Sequence, residues 1–161
     1  VVTRSAQVQA LCKAQGVPVL LHALPGRNDT VRLGLSVLLA QHPELTGCMF
    51  LPGDQPLLRR ATVDQLLTAF AQTQKETERV IFRLGAPAGN GPDPLVGSPV
   101  LFSNGFFPEL LTLPEGKGGS VLLHKYPTLV HTACIAQPEE LADTDTPAAL
   151  AQLEALVREK G

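Results

Sequence analysis

Short apolar runs that alternate with helical patterns constrain the fold of this chain more than any other feature. The runs are nearly continuous in apolar residues, as in strands buried on both faces of a sheet. They cover residues 17–21, 48–51, 80–84, 99–102 and 129–135. Helical patterns occupy residues 5–15, 30–41, 62–72, 106–113, 120–124 and 146–157. This order predicts an α/β domain, a three-layer αβα sandwich on a mostly parallel sheet. Because no repeat or linker divides the chain, we expect one domain over residues 1–161.

The bulk composition excludes several classes of partner. Hydrophobic residues make up 44% of the chain and charged residues 17%, as in a globular domain. A net charge of −2 provides no basic surface for nucleic acid or an anionic membrane. No apolar run approaches the roughly 20 residues that cross a bilayer. The cysteines Cys12, Cys48 and Cys134 form no disulfide or zinc pattern, and we expect all of them to be buried in a reduced, cytoplasmic protein.

One predicted strand leads directly into a carboxylate. Residues 51–58 (Leu-Pro-Gly-Asp-Gln-Pro-Leu-Leu) place Asp54 in a tight turn between Gly53 and Pro56. Open α/β sheets bind ligands beyond the carboxyl ends of their strands, and a carboxylate there suits a divalent cation that bridges nucleotide phosphates. The alternative is an ordinary turn or helix-capping aspartate.

A second acidic segment precedes the last helix. Residues 143–147 (Asp-Thr-Asp-Thr-Pro) place Asp143 and Asp145 on one loop. Thr146 is the expected N-cap, with Pro147 at the first helical position. Asp145 is therefore available as a metal ligand, unless the segment is simply a solvated acidic turn.

Two other segments provide positive charge. Arg27 and Arg32 lie near a predicted helix start, which favours an anion or the polar edge of a base; an ordinary start capped by Asp29 is the alternative. Lys117 lies in the Gly-rich turn 115–119, whose spacing is not that of a P-loop. Residues 85–97 are rich in Gly and Pro and predict a loop. The histidines at 124 and 131 are expected at the surface.

Taken in order, these segments resemble the MobA-like nucleotidyltransferases, especially the molybdenum cofactor cytidylyltransferase branch. The matching strings cover residues 28–35, 51–58, 97–102, 107–111, 115–119 and 143–147. The resemblance implies a Rossmann-like fold of the nucleotide-diphospho-sugar transferase type. It also implies that the terminal phosphate of molybdopterin attacks the α-phosphate of an NTP and releases pyrophosphate. A molybdenum hydroxylase would be the client of the product.

The resemblance also implies roles for single residues. Asp54 would be catalytic and hold Mg²⁺, with Asp145 as a second ligand. Arg27 and Thr30 take the positions that lie near cytosine in the methylerythritol phosphate cytidylyltransferases, which favours CTP. Gly97 and Pro99 would form the floor under the pterin, and Lys117 would contact phosphate. The residues implied in nucleotide or cofactor binding are Arg27, Asn28, Thr30, Gly53, Gly97, Pro99 and Lys117.

One part of the family pattern is missing. Family members begin with a strand and a Gly-rich loop that cradles the triphosphate, whereas this chain opens with Val-Val-Thr-Arg, which resembles the end of the family's second strand. We therefore expect an N-terminally truncated domain that is inactive as it stands. The alternatives to a CTP-dependent enzyme are a guanylyltransferase, another NTP transferase acting on a phosphorylated small molecule, and a non-catalytic cofactor-binding domain.

Overall fold

A computed structural model describes residues 1–87 and 94–160. Its strands and helices are listed here in chain order. They are β1 (Val2–Thr3), α1 (Ala6–Ala14), β2 (Leu20–Leu21), α2 (Arg27–Gln41), β3 (Gly47–Phe50), α3 (Arg60–Thr73), β4 (Ile81–Ala86), β5 (Leu95–Ser103), α4 (Phe107–Leu111), α5 (Ser120–Lys125), β6 (Val130–Cys134) and α6 (Pro147–Lys160). Short 3₁₀ turns cover Asn104–Phe106, Pro127–Leu129 and Pro138–Leu141. No helix in the described ranges has the length and apolar character of a membrane span.

The chain divides into two compact units. The first comprises Val1–Cys48 and Ser103–Leu129, and the second comprises Met49–Phe102 and Val130–Gly161. The single domain expected from the sequence stays a prediction.

In the first unit, two short parallel strands carry α2. Val2 of β1 lies opposite Leu20 of β2. A side chain at Gly34 would bring its Cβ within 2.9 Å of Val2 Cγ2, so α2 can approach β1 this closely only because position 34 is glycine. On α2, Leu35 is fully buried, and α2 packs against α4, where Leu110 is also fully buried. Burial of these apolar side chains stabilises the unit.

Most residues of a four-stranded sheet, which has the order β3-β5-β4-β6, belong to the second unit. β6 runs parallel to β4, with Ile81 opposite Val130, whereas β5 runs antiparallel to β4. Helix α3 packs on β4. The buried cluster consists of Leu66, Phe70, Val80, Phe82, Leu84, Ala86, Leu101 and Ile135. Each predicted strand overlaps an observed one, and its ends differ from the observed ends by at most four residues. The strands are recognisable because a strand buried on both faces needs a continuous run of apolar residues.

The predicted loop at 85–97 is wrong at both of its ends. β4 continues through Ala86 and β5 begins at Leu95, while residues 88–93 lie outside the described residues. Gly85 lies within β4, and it is a glycine because Thr132 and the backbone of Leu95 approach it too closely for a side chain. Close approach, rather than a turn, explains this glycine.

A bulge explains why a proline lies inside β5. Arg83 pairs with Val100 and the next residue, Leu84, pairs with Gly97, so Ser98 and Pro99 are extra residues on β5. Proline has no N–H group to donate to the ladder, and a bulge leaves such a residue unpaired. The Ser98–Pro99 peptide bond is cis.

Several helix and strand boundaries differ from the sequence prediction. α2 begins at Arg27 rather than Thr30, because the Gly26 N–H donates to the Asp29 carboxylate at 3.2 Å and so closes the first turn. The helix predicted to begin at residue 62 begins at Arg60 instead. The strand predicted at 17–21 pairs only over Leu20–Leu21.

The cysteines differ in their environments, contrary to the expectation that all are buried. Cys48 is buried, and this burial raises the pKa of its thiol to about 11. Cys12 is half-buried, and Cys134 is exposed at the end of β6, the outer strand of the described sheet. His124 and His131 are exposed as expected.

Candidate active site

The second unit places Asp54 in an irregular turn between β3 and α3. The turn follows directly on Phe50, the last residue of β3. Asp54 is half-buried, whereas Gly53 is exposed and a Cβ at that position would meet nothing within 4 Å. The open space beside Gly53 leaves room for a ligand at this turn.

The acidic loop before α6 is joined to this turn. The carbonyl of Asp54 accepts hydrogen bonds from the backbone N–H of Thr144, at 3.0 Å, and from its hydroxyl, at 3.2 Å. Thr144 is half-buried, while its neighbours Asp143 and Asp145 are exposed. The structure therefore brings together the two acidic segments that the sequence analysis selected.

Two polar side chains that sequence reasoning missed reinforce this junction. Gln55 Nε2 donates to the carbonyl of Leu141 at 3.3 Å. The buried carboxylate of Glu140 accepts from the N–H of Arg59, at 3.1 Å, and from the hydroxyl of Thr62. Glu140 thus caps the start of α3 from a distant part of the chain. In the sequence it stands beside Glu139 in an acidic stretch, which gave no sign that it is buried.

The acidic loop leads directly into the last helix, α6. Thr146 Oγ1 accepts from the N–H of Ala149 at 3.1 Å, which confirms it as the N-cap of α6. Because Thr146 is occupied in this way, the carboxylate of Asp145 is not needed to cap the helix and faces solvent.

The junction provides too few carboxylates for a metal site made only of protein groups. No group of three or more His, Cys, Asp or Glu side chains that could hold a metal exists in residues 1–87 and 94–160. Mg²⁺ is usually bound by one or two carboxylates together with water and substrate phosphates, rather than by a cage made only of protein groups. Asp54 and Asp145 match that donor set.

Gly97 and Pro99 lie on β5 in the same unit. Gly97 is half-buried, and a Cβ there would lie 3.5 Å from the side chain of Leu141. Gly97 therefore borders the 3₁₀ turn Pro138–Leu141 that carries Glu140. Pro99 is fully buried, so it supports this part of β5 from within the unit.

In the first unit, the start of α2 is joined to the Gly-rich turn. Asn28 Oδ1 accepts from the N–H of Gly116 at 3.0 Å. Gly116 has a φ of 70°, a conformation that favours glycine. Lys117 is the next residue and is exposed. The structure thus brings together two of the predicted binding segments, 26–35 and 115–119.

The cations of these segments differ in their partners. Arg32 forms a 2.8 Å ion pair with Asp29, so its charge is compensated within the helix. Arg27 is exposed, and neither it nor Lys117 has an acidic partner within 4 Å among the described residues. An uncompensated cation at the start of α2 and another in the turn bonded to that helix suit an anionic ligand.

Thr30 has a partner that sequence reasoning missed. Its hydroxyl lies 3.2 Å from His22 Nε2, on the residue that follows β2. The other ring nitrogen, Nδ1, is buried without a hydrogen-bond partner in the described part of the chain. The sequence did not predict this pair, because the histidines are scattered along it and the contact forms only when the two elements come together in the fold.

A family comparison identifies the domain. The family model of the MobA-like NTP transferase domain matches residues 1–153. The chain belongs to this family. It is therefore a nucleotidyltransferase domain, and its substrate is a nucleoside triphosphate. Among curated proteins, none matches the chain.

Solved structures resemble the MobA-like domain in fold. Rv0371c from Mycobacterium tuberculosis H37Rv superimposes with a TM-score of 0.74 at 24% identity, over 94% of this chain and 72% of that protein. Its complex with manganese gives 0.70 at 24% identity, over 94% and 73%. A 4-diphosphocytidyl-2C-methyl-D-erythritol synthase gives 0.71 at 16% identity, over 98% and 79%. These likenesses confirm the expected α/β fold of the nucleotide-diphospho-sugar transferase type.

The junction at Asn28 in the MobA-like domain leads to a prediction. Asn28→Ala removes the acceptor for the Gly116 N–H. We expect that amide to exchange with solvent about fivefold faster, since a hydrogen bond contributes about 1 kcal/mol. Hydrogen exchange followed by mass spectrometry or NMR measures this rate. Asn28→Asp keeps an acceptor oxygen and is the matched control. Equal exchange in wild type and Asn28→Ala would show that the turn is held by other contacts.

Proposed function

We propose that this domain transfers a cytidylyl group from CTP to the terminal phosphate of a molybdopterin-type cofactor. The terminal phosphate oxygen forms a new bond to the α-phosphorus, the bond from the α-phosphorus to the bridging oxygen breaks, and pyrophosphate leaves. The observation that carries this proposal is the junction between Asp54 and the 143–147 loop. In a domain of an NTP transferase family, a carboxylate that follows a strand and an acidic loop hydrogen-bonded to its backbone suit the handling of a metal-bound triphosphate.

In the second unit, Asp54 and Asp145 would hold a divalent cation, which we propose to be Mg²⁺. The bound cation would neutralise charge on the α-phosphate during transfer. A manganese complex of the fold neighbour Rv0371c supports a divalent ion in this role without selecting Mg²⁺. Gly53 would leave the approach to the cation open, and Gly97, with Pro99 behind it, would form the floor under the pterin.

In the first unit, Arg27, Asn28 and Thr30 would bind the nucleotide, and Lys117 would contact a phosphate. Thr30 and Arg27 would lie near the base. The cytidyl group in the name of another fold neighbour supports CTP over GTP. Asn28 would act through its bond to the turn that carries Lys117.

The product would be delivered to a molybdenum hydroxylase. We also propose that residues 1–161 act as one domain and that the protein is cytoplasmic. Three free cysteines support a reducing compartment.

Pyrophosphate release tests the proposal directly. The complete protein, rather than residues 1–161 alone, is incubated with Mg²⁺, molybdopterin and one of CTP, GTP, ATP or UTP. We expect the kcat/KM for CTP to exceed that for GTP by at least about 100-fold, because a site that hydrogen-bonds a base discriminates strongly against another. Asp54→Asn provides the background rate.

The other outcomes contradict separate parts of the proposal. A preference for GTP would make the domain a guanylyltransferase and remove the base assignment of Thr30 and Arg27. Turnover with methylerythritol phosphate in place of molybdopterin would replace the acceptor. No pyrophosphate from any NTP with either acceptor would end the proposal.

A further inference from the structure

We infer that Thr144 is a positioning residue that sets the separation of Asp54 and Asp145. The inference rests on the proposed metal-binding role of those two carboxylates. Thr144 has no ligating charge of its own, and nothing in its local sequence distinguishes it from an ordinary loop threonine. Its place in the fold distinguishes it, because Thr144 contacts a residue 90 positions away.

The contact is a double hydrogen bond to one atom. Thr144 donates both its backbone N–H and its side-chain hydroxyl to the carbonyl oxygen of Asp54, at 3.0 Å and 3.2 Å. A carbonyl oxygen has two lone pairs, so these donors use its full accepting capacity. The carbonyl and the carboxylate of Asp54 share one Cα, and therefore fixing the carbonyl restricts where the carboxylate can point.

The same contact restricts Asp145. Thr144 is half-buried against the turn, while Asp143 and Asp145 on either side of it are exposed. One residue therefore faces inward and anchors the loop, and its neighbours face the solvent in which a nucleotide would arrive. Asp145 is one peptide away from the anchor on one side. On its other side, Thr146 caps α6. Both ends of Asp145 are thus held.

Further hydrogen bonds hold the segments next to the contact between Thr144 and Asp54. Gln55, next to Asp54, donates to the carbonyl of Leu141, three residues before Thr144. Glu140 holds the start of α3. The turn and the loop thus have further links besides the one from Thr144. Of these links, only the one from Thr144 joins Asp54 itself to the residue that precedes Asp145.

The separation of the Asp54 and Asp145 carboxylates would affect how tightly a cation binds. Mg²⁺ requires near-ideal octahedral geometry and loses affinity when its ligands are displaced. Groups that orient metal ligands without touching the metal change metal affinity or activity by about 10- to 100-fold when they are removed. Loss of the Thr144 hydroxyl leaves the backbone N–H in place, so we expect an effect near the lower end of that range.

The test compares Thr144→Val, which removes the hydroxyl, with Thr144→Ser, which keeps it. Free Mn²⁺ is followed by electron paramagnetic resonance during titration of the protein with Mn²⁺ in the presence of CTP. Thr144→Val should weaken Mn²⁺ binding about tenfold, whereas Thr144→Ser should stay near wild type. In the pyrophosphate assay, kcat of the Val variant should fall by a similar factor at fixed Mg²⁺, with the KM for CTP nearly unchanged.

A matched control uses the same substitution at a distant site. The hydroxyl of Thr68 donates to the carbonyl of Asp64 at 2.8 Å on the exposed side of α3, so Thr68→Val also removes a hydroxyl bonded to a carbonyl. It should leave Mn²⁺ binding unchanged. If Thr144→Val does not fold, Thr144→Ala removes the hydroxyl without adding a methyl group beside the carbonyl, and it carries the same expectation.

The outcomes separate this inference from the proposed function. If Asp54→Asn weakens Mn²⁺ binding and the Thr144 variants lacking the hydroxyl bind Mn²⁺ like wild type, the positioning role is wrong and the metal site stands. If Thr144→Ser is as weak as Thr144→Val, packing rather than the hydroxyl is responsible, and the positioning role is also wrong. If Asp54→Asn leaves Mn²⁺ binding unchanged, the proposed metal site itself fails and the inference fails with it.

Discussion

Replacement of Asp54 by asparagine is expected to lower kcat about 1,000-fold, while the KM for the NTP changes little. Asparagine keeps the size of the side chain and one oxygen but removes the negative charge that would hold the cation. A metal ion stabilises transition-state charge by several kcal/mol, and about 4 kcal/mol corresponds to this loss in rate. The bonds from Thr144 are made to the backbone carbonyl of residue 54, so the substitution leaves the turn intact. Steady-state pyrophosphate release measures both constants.

Asp64→Asn is the matched control for that variant. Asp64 lies on α3 in the same unit, and its exposed side chain faces Arg60 at 3.6 Å. A surface pair of this kind contributes little to stability, so Asp64→Asn should retain wild-type turnover. Retention of wild-type kcat by Asp54→Asn would remove Asp54 from the active site, whatever the family of the domain.

The strands could be predicted because their signal is local. A strand buried on both faces needs apolar side chains at consecutive positions, and an apolar run such as 80–84 therefore predicts a buried strand. Gly85 misled the prediction because its reason is not local. It permits the close approach of Thr132 within a strand, whereas Pro99 was correctly assigned to a strand and sits in a bulge. Gly and Pro usually mark turns, and only the neighbouring strands reveal the exceptions.

The same distinction applies to the candidate site. Asp54 and Asp145 could be selected as candidates because one follows a predicted strand and the other precedes a predicted helix, each in a family-like string. The side chains that hold their segments together were not, because their partners are far apart in sequence. Thr62 donates to Glu140 across 78 positions, and Gln55 to Leu141 across 86. Thr62 even fitted a helix-capping pattern, since a threonine followed three residues later by glutamine has that spacing.

Glu140→Ala is expected to lower the free energy of unfolding by about 3 kcal/mol. Glu140 is a buried carboxylate whose Oε2 accepts from the N–H of Arg59 and the hydroxyl of Thr62. Alanine removes the acceptor from both donors, of which the Thr62 hydroxyl is buried, and a buried unsatisfied donor costs about 1–3 kcal/mol. Glu140→Gln keeps an oxygen of similar position and loses only the charge, so we expect about 1 kcal/mol. Urea denaturation followed by circular dichroism measures both.

The control for Glu140 is Glu154→Ala, on α6 of the same unit. Glu154 is exposed and pairs with Arg158 at 3.7 Å, so its removal should leave the urea midpoint unchanged. Glu140 also fixes the 3₁₀ turn Pro138–Leu141, which precedes the Thr144 anchor, and therefore Glu140→Ala should weaken Mn²⁺ binding under conditions where the variant is still folded. A variant that is destabilised but binds Mn²⁺ normally would show that the turn supports the helix start alone and that Thr144 holds the metal ligands without it.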